Sequence, residues 1–541
     1  MFVRSVEEYP DSIIKTADPE SSDGERYLKN SFSELAESVS QLSYSLRKAG
    51  ISEGDKVALI GKPHPRWAAT FFATQRLGAI CVPIDCGLTS DEVRRILQES
   101  ETKLVAIEGV SQDLVADNVD LLPHVEEVLV YSGQARGGFA DWNGFIGQQT
   151  LEDGPDTPPT NTAVIMYTSG TTGDAKGVML SHRNLVTNVV DVDTMLDIGS
   201  DDMLTSILPW HHIYGMNTNL LLPINYGASI SYTEDYRNLP EVLKENEATF
   251  LLGVPKLFNA VYKEIKHEIE SNMFSRILYR ISPRLLSWLV KKKFAGSQFR
   301  FAVSGGAPLD PETARGFREL GLGIMEGYGL TETSPILTLT EDPFTEKTGT
   351  VGSPLPSVEL KLDSANEKGV QEVLARGPNI MQGYYKNSQR TEEVLDEDGW
   401  FHTGDSGSFD EEQWLYLNGR KKNVIVLESG KNVYPEEVEW ELERLPFIQE
   451  ALVQEKKRSG KPVVSAVVYP DYGRLEEEGI VDEDAIKDVL WQVVKNDCQR
   501  LASYKRIKSK RDIEILEEPF EKTPTFKVKR YLYSDEKVTE V

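Results

Sequence analysis

Apolar residues recur at helical spacing from Phe32 to Ala49, where Gly50 stops the pattern, and a strand-length run Lys56–Ile60 follows. The alternation continues with a helical stretch Trp67–Gly78, a strand Ile80–Ile84, a helical stretch Asp91–Glu101 and a strand Leu104–Ile107. Strand, helix and strand at this period predict parallel α/β layers, because parallel strands need a long crossover and a helix supplies it. Residues 133–160, rich in Gly, Pro, Asp and Thr, read as a loop leading to a short buried strand, Ala163–Met166. After residue 417 the character changes. A short basic bridge, Gly419–Asn423, precedes a strand Val424–Leu427 and a helix Pro435–Arg444. Strands near Glu450–Val453 and Val463–Tyr469, a helix Asp484–Leu501 and a strand Arg511–Leu516 complete the pattern. That is a compact α+β unit of about 120 residues, the size of an independent domain. The expected division is 1–418, a connecting segment 419–423, and 424–541.

Composition narrows the function classes. A chain of 541 residues with 40% hydrophobic content exceeds one core and folds as at least two domains. Its formal net charge of -27 argues against nucleic acid, which needs a basic face. Cys81, Cys86 and Cys498 show no metal-ligand spacing and read as free thiols in a reducing compartment. The N-terminus carries acids where a signal peptide carries an apolar core, and no apolar run is long enough to span a bilayer. A soluble cytoplasmic protein is expected. One segment departs from the acidic background: Ser271–Leu309 holds no acidic residue, but Arg276, Arg280, Arg284, Lys291, Lys292, Lys293 and Arg300 interleave with apolar residues. Within it, 276–294 reads either as a basic amphipathic helix for the inner face of a membrane, or as a partly buried helix whose basic edge meets acidic neighbours. Pro283 interrupts it.

The densest chemistry stands at Tyr167-Thr168-Ser169-Gly170-Thr171-Thr172-Gly173-Asp174-Ala175-Lys176-Gly177. Glycines let the backbone approach an anion closely, N–H groups and hydroxyls then point at it, and the lysine adds a compact cation. A polyphosphate is the natural ligand. The spacing Gly170-x-x-Gly173-x-x-Lys176 does not meet the Gly-x-x-x-x-Gly-Lys of a P-loop, so a P-loop ATPase is excluded on spacing.

Further motifs follow in order: Pro209–Gly215, Ser304–Pro308, Gly327–Thr333, Gly399–Asp405, Gly419-Arg420, Ser429–Glu439 and Thr523–Arg530. In content and order, over about residues 30–530, the chain resembles the AMP-forming acyl-CoA synthetases of the adenylate-forming superfamily, which also holds luciferases and peptide-synthetase adenylation domains. The resemblance implies an α/β fold. A large N-terminal domain would comprise α/β layered subdomains and a β-barrel-like subdomain, and a small mobile α+β domain would follow. It implies ATP and CoA as cosubstrates, Mg²⁺ on Glu332, and a carboxylic acid activated through acyl-AMP. Thr168, Ser169, Gly170, Thr171, Thr172, Gly173 and Lys176 would hold the phosphates. Gly305, Gly306, Ala307, Gly327, Tyr328 and Gly329 would line the adenine, with Asp405 and Arg420 on the ribose and Thr331 on the α-phosphate.

Lys527 would be the catalytic lysine, a mobile cation bridging the acyl oxygen and the α-phosphate. His212 would lie near the acyl carboxylate; paired histidines also suggest a metal, but no third ligand sits at useful spacing. Lys422 would be the pivot, and Ser429, Gly430 and Lys431 the passage for CoA once the small domain turns. The family usually has glycine before the lysine. Phe526 stands there instead, which resembles the long-chain fatty acid branch. An acyl-AMP ligase for a carrier protein, a luciferase-type oxygenase and a non-catalytic nucleotide-binding regulator are the rivals; homodimerisation is left open.

Overall fold

The computed structural model describes residues 1–17, 27–169, 175–234, 238–365, 369–458, 460–522 and 528–533. Among them the large N-terminal part is built on two sheets. The first has strand order Gly383–Tyr384, Ala175–Ser181, Thr162–Ser169, Ile80–Ile84, Lys56–Ile60, Thr102–Glu108, Glu127–Ser132 and Ala140–Asp141. From Thr162–Ser169 outward through Ile80–Ile84 its neighbours are parallel, whereas Thr162–Ser169 and Ala175–Ser181 form an antiparallel hairpin. The second runs Ser353–Pro354, Ile336–Leu339, Ile324–Gly329, Phe301–Ser304, Phe250–Gly253, Met203–Ser206, Ser229–Tyr232, Ile13–Ala17 and Tyr27–Ser31, parallel through its middle. Parallel strands buried on both faces must be apolar throughout, and Val57, Ala58, Leu59 and Ile60 are all fully buried.

The predicted elements stand with small shifts at their ends. Phe32–Lys48 is a helix opened by a capping box in which Ser31 and Glu34 satisfy each other's backbone N–H groups. Pro65–Arg76 and Ser90–Ser100 are the next two helices. The loop expected over 133–160 contains one short strand and the short helix Trp142–Phe145. Where the resemblance implies a β-barrel-like subdomain, an antiparallel unit has strand order Glu359–Leu362, Glu372–Arg376, Phe401–Phe409 and Leu415–Arg420. Backbone bonds from Val351 to Leu415 and from Leu415 to Gly352 join it to the preceding segment.

The C-terminal part has its own core, formed by Val433, Val438, Leu442, Val453, Val468, Leu490 and their neighbours, all beyond residue 424. Its sheet pairs Ile448–Arg458 with Lys461–Pro470 antiparallel and adds Ile513–Ile515 parallel to the second of these. Contact with the large part is polar. The Arg444 guanidinium lies 2.6 Å from Glu312 and 3.7 Å from Asp310. Between the two parts, the strand Leu415–Arg420 runs through the motif Gly419-Arg420 into a single turn Lys421–Asn423. Gly419 has φ +144, and a Cβ there would stand 2.6 Å from the Glu436 carboxylate, so the backbone passes only with glycine. No helix of the described residues is long and apolar enough to cross a membrane.

Candidate active site

The nucleotide-side motifs converge at the carboxyl ends of the second sheet and on the antiparallel unit. Tyr328, on Ile324–Gly329, is buried, and its hydroxyl donates to Asp405 Oδ2 at 2.7 Å. Burial and then the Asp405 charge push the Tyr328 hydroxyl far up, so it remains a donor. Arg420 Nε lies 3.1 Å from Asp405 Oδ1, and Arg420 Nη1 donates to the Thr403 carbonyl at 3.0 Å. Strand pairing explains the meeting, since Asp405 and Arg420 are direct partners in the ladder. Asp405 thus meets a hydroxyl on one carboxylate oxygen and a guanidinium on the other. Gly305 follows the strand Phe301–Ser304 and lies against the Tyr214 ring, whose hydroxyl donates to the carbonyls of Gly253 and Val303 at 3.4 Å each. Gly306 and Ala307 are exposed. Gly329 is obligatory: a Cβ would stand 1.7 Å from the Pro335 carbonyl oxygen.

The phosphate-side string forms the hairpin described above, with Thr168 opposite Lys176 and Ser169 opposite Ala175. Its tip, Gly170, Thr171, Thr172, Gly173 and Asp174, lies outside the described residues. The Lys176 ammonium stands 5.5 Å from the Tyr384 ring centre, and the Tyr384 hydroxyl donates to Glu332 Oε1 at 2.9 Å. Glu332 and Thr331 are half-buried on the short turn after the strand Ile324–Gly329. Burial, and then the charge of Arg390, lower the Lys176 pKa against the pull of Glu332 and Glu393. Lys422 is lowered by burial and by Arg420, Lys176, Arg390 and Arg530 together. Three of these cations are answered by carboxylates, Arg390 by Glu393, Arg420 by Asp405 and Arg530 by Glu439, which leaves Lys176 and Lys422 as the cations without an ion pair among the described residues. Such a cluster suits a polyanion. Glu332, a hard oxygen donor at its edge, fits Mg²⁺, which takes one or two protein carboxylates and completes its shell with phosphate and water.

The histidine pair presents a different picture. His211 is buried, its Nε2 is 3.5 Å from Asp85 Oδ1, and neither ring nitrogen makes a hydrogen bond among the described residues. Burial lowers its pKa to about 4, so it is neutral. The His211 and His212 rings lie 4.5 Å apart, and one ligand-type atom from each of Asp85, His211 and His212 falls within 4.8 Å of the others. This corrects the expectation that the pair lacks a third partner. Asp85 ends the strand Ile80–Ile84 of the first sheet, so packing of the two sheets supplies what local spacing did not. A second group of this kind, Asp363, Glu372 and His402, already holds a cation: Lys421 Nζ is 2.7 Å from Glu372 Oε2. Burial works against the Glu372 charge, but Lys421, the Gly404 N–H and His402 outweigh it and lower its pKa.

Two expected elements are elsewhere or undescribed. Ser429, Gly430 and Lys431 form an exposed turn between Ile425–Val426 and Asn432–Val433; nothing lies within 4 Å of a Cβ at Gly430, and the Lys431 ammonium sits 4.5 Å over the Tyr504 ring. Among the described residues the turn makes no contact with the nucleotide-side residues. Lys527, with Thr523–Phe526, lies outside the described residues. Its flanks are held within the small domain: Arg530 pairs with Glu439, and Lys529 Nζ lies 3.7 Å from Glu521. Tyr384, Arg390 and Asp85 were not singled out by motif; Tyr384 meets Glu332 and Asp85 meets His211 only across the fold, while Arg390 pairs locally with Glu393.

With this geometry in place, known proteins can be set beside it. A model of the AMP-binding enzyme family matches residues 2–385, and one of the AMP-binding enzyme C-terminal domain matches residues 422–536. The chain belongs to the AMP-binding enzyme family. It is similar to the long-chain-fatty-acid–CoA ligase FadD15 of Mycobacterium bovis, at 29% identity over 94% of this chain and 91% of that one. It is equally similar to a feruloyl-CoA synthase of an Amycolatopsis species, at 29% over 83% and 86%. Among solved structures, ATP-bound MatB from Rhodopseudomonas palustris superposes with a TM-score of 0.77 at 25% identity, over 98% of this chain and 97% of that one. The division of this AMP-binding enzyme into a large N-terminal and a small C-terminal domain is that of the structures it matches.

Proposed function

We propose that this enzyme activates a carboxylic acid with ATP, forming acyl-AMP and pyrophosphate, and then transfers the acyl group to CoA with release of AMP. The observation that carries the reading is Asp405 held between Tyr328 and Arg420, with the cationic cleft of Lys176, Arg390 and Lys422 nearby. Asp405 accepts from the ribose hydroxyls, and Arg420 both fixes Asp405 and donates to them. Tyr328, Gly305, Gly306, Ala307, Gly327 and Gly329 form the adenine wall. Thr168, Ser169, the 170–173 tip and Lys176 hold the phosphates, and Thr331 donates to the α-phosphate. Mg²⁺ held at Glu332 would neutralise charge on the phosphate oxygens. His212 orients the acyl carboxylate for attack on the α-phosphorus, and the neutral His211 supplies a polar neighbour 3.5 Å from Asp85.

Lys527 places its ammonium between the acyl oxygen and the α-phosphate, where negative charge grows during attack. The division 1–418, 419–423 and 424–541 then has a mechanical purpose. A small domain joined through a polar contact at Arg444 can turn about Lys422, withdrawing Lys527 and bringing in Ser429, Gly430 and Lys431 beside the pantetheine arm. The exposed position of that turn leaves it free to approach the cleft when the small domain turns.

The acid we favour is a medium- to long-chain fatty acid, on Phe526 before Lys527 and on the printed activity of FadD15. An aromatic acid is the second reading, on the equal identity to a feruloyl-CoA synthase. A cytoplasmic enzyme of either kind would meet its substrates in solution or at a lipid surface. The test is AMP and pyrophosphate release, with and without CoA, across acids from acetate to C18 and including ferulate. Rapid CoA-dependent turnover with C12–C18 acids is expected. Preference for ferulate would move the substrate to the aromatic class, CoA-independent pyrophosphate release would point to a carrier-protein ligase, and silence with every acid would leave a non-catalytic nucleotide binder. Lys527→Ala should abolish adenylation yet spare thioesterification of supplied acyl-AMP; equal loss of both half-reactions would contradict the domain turn.

A further inference from the structure

The helices Met273–Ile281 and Pro283–Phe294 carry a surface unlike the rest of the molecule. The second is apolar on two faces. Leu286, Val290 and Phe294 are buried inward, where with Ile265, Ile269 and Leu278 they line an apolar groove. Leu285 and Trp288 point outward, with Trp288 56% exposed, and Leu289 stands at the rim of the groove. The first helix adds Met273, Ile277 and Ile281, the last 76% exposed. A soluble surface rarely concentrates large apolar side chains in this way. Elsewhere the exposed large apolar residues are scattered: Val3, Val110, Val119, Leu121, Val186, Val190, Phe344 and Val481.

The charges on this surface have one sign. Arg276, Arg284, Lys291 and Lys292 make no ion pair among the described residues, and Lys292 lies 5.2 Å over the Trp288 ring. Lys293 alone pairs with an acid, Glu268 of the preceding helix Pro255–Ser271. A basic edge answered by acidic neighbours, one of the two readings of the sequence, is therefore met at a single position among the described side chains of these helices.

We propose that this helix pair is the face by which the enzyme sits on an anionic lipid bilayer. A chain of net charge -27 is on balance repelled by such a surface, and here the repulsion is locally reversed over an apolar ridge with a central tryptophan. A second copy of the chain fits less well. A two-fold contact would set basic face against basic face, and a head-to-tail contact needs a matching apolar patch that the scattered residues above do not form. The inference does not depend on the acid being a fatty acid; it concerns a surface outside the nucleotide cleft.

The test is cosedimentation of the full chain with phosphatidylcholine vesicles, with and without phosphatidylglycerol, at low and high salt. Partition at least about tenfold stronger onto the anionic vesicles, falling with salt, is expected. A Leu285→Ser/Trp288→Ser variant should lose about tenfold or more. An Arg284→Gln/Lys291→Gln/Lys292→Gln variant should lose roughly fivefold per charge removed and most of the salt dependence. Both should keep wild-type turnover of a soluble short acid without vesicles, which shows that the fold and the site are intact. Binding that ignores anionic lipid, or that neither variant weakens, would overturn the proposal. So would a dimer in lipid-free solution that the Leu285→Ser/Trp288→Ser variant abolishes, which would assign the face to a second copy.

Discussion

The two halves of the cleft are built on opposite principles. On the nucleotide side, the Asp405 carboxylate has a tyrosine hydroxyl on one oxygen and a guanidinium on the other, and Glu332 is held by Tyr384. On the histidine side, His211 is buried with both ring nitrogens lacking a hydrogen bond and a carboxylate at 3.5 Å, beyond good hydrogen-bond distance. A half-site that takes the same ligand in every turnover gains from being assembled in advance, since preorganised groups need no rearrangement when charge develops. A half-site that must accept the variable reactant keeps polar capacity in reserve, at a cost of about 1–3 kcal/mol for each buried group left unmatched. The first half is therefore expected to be sensitive to deletion and the second to the identity of the acid.

Substitutions can separate the halves. The largest effect is expected from Asp405→Ala, which strands the buried Tyr328 hydroxyl and frees Arg420. A fall on the order of a thousandfold in kcat/KM for ATP should appear in ATP–pyrophosphate exchange, and a small change would mean that Asp405 does not touch the nucleotide. Next is acid pH. His64, whose Nδ1 accepts from the Arg66 N–H at 3.0 Å, and His211 both have pKa values lowered by burial from 6.5 to about 4. Below pH 6.5 the unfolded chain takes up protons that the folded chain refuses, so stability is full above 6.5 and falls as pH drops toward 4. The loss is up to about 3 kcal/mol per histidine. Urea unfolding should show the slope, and His64→Asn should flatten it; an unchanged slope would place the proton uptake elsewhere.

A smaller effect is expected on the acyl side. His211→Gln should raise KM for the acid about tenfold while leaving KM for ATP within about twofold, and Asp85→Asn should follow in the same direction more weakly. Equal rises in both constants would erase the contrast between the halves. The mildest is Tyr328→Phe, which removes one hydrogen bond to a charged group but leaves Arg420 on Asp405. KM for ATP should rise roughly fivefold to tenfold, and a thousandfold loss would show that Arg420 cannot hold Asp405 alone.

Much of this architecture was legible before the structure. The strands Lys56–Ile60 and Ile80–Ile84 fall where the apolar runs placed them, because fully buried parallel strands leave a continuous apolar signature. The helix Pro435–Glu443 was equally clear, with its proline at the first position. Of the site, the glycine-rich hairpin, Glu332, Asp405 and Arg420 were marked by motif. Asp85 was not, since an acid at a strand end is ordinary in sequence and acquires its partner only when the two sheets pack. Tyr384 was missed for the same reason, lying 52 residues from the carboxylate it serves. Pairing across a sheet is a property of register, which local composition does not encode.

The short strand Gly383–Tyr384 has a mechanical consequence beyond positioning one hydroxyl. The segment around it is fastened to both walls of the cleft. Met381 N–H donates to the Glu332 carbonyl at 2.9 Å, Gln382 N–H to Met179 at 3.0 Å and Tyr385 N–H to Gly177 at 2.7 Å, and Asn184 grips the carbonyls of Pro378 and Ile380. It is a tie-rod between the hairpin strand that bears Lys176 and the turn that bears Glu332. Spreading the two walls apart would have to break these bonds together, so the segment works as a brace across the large part of the molecule.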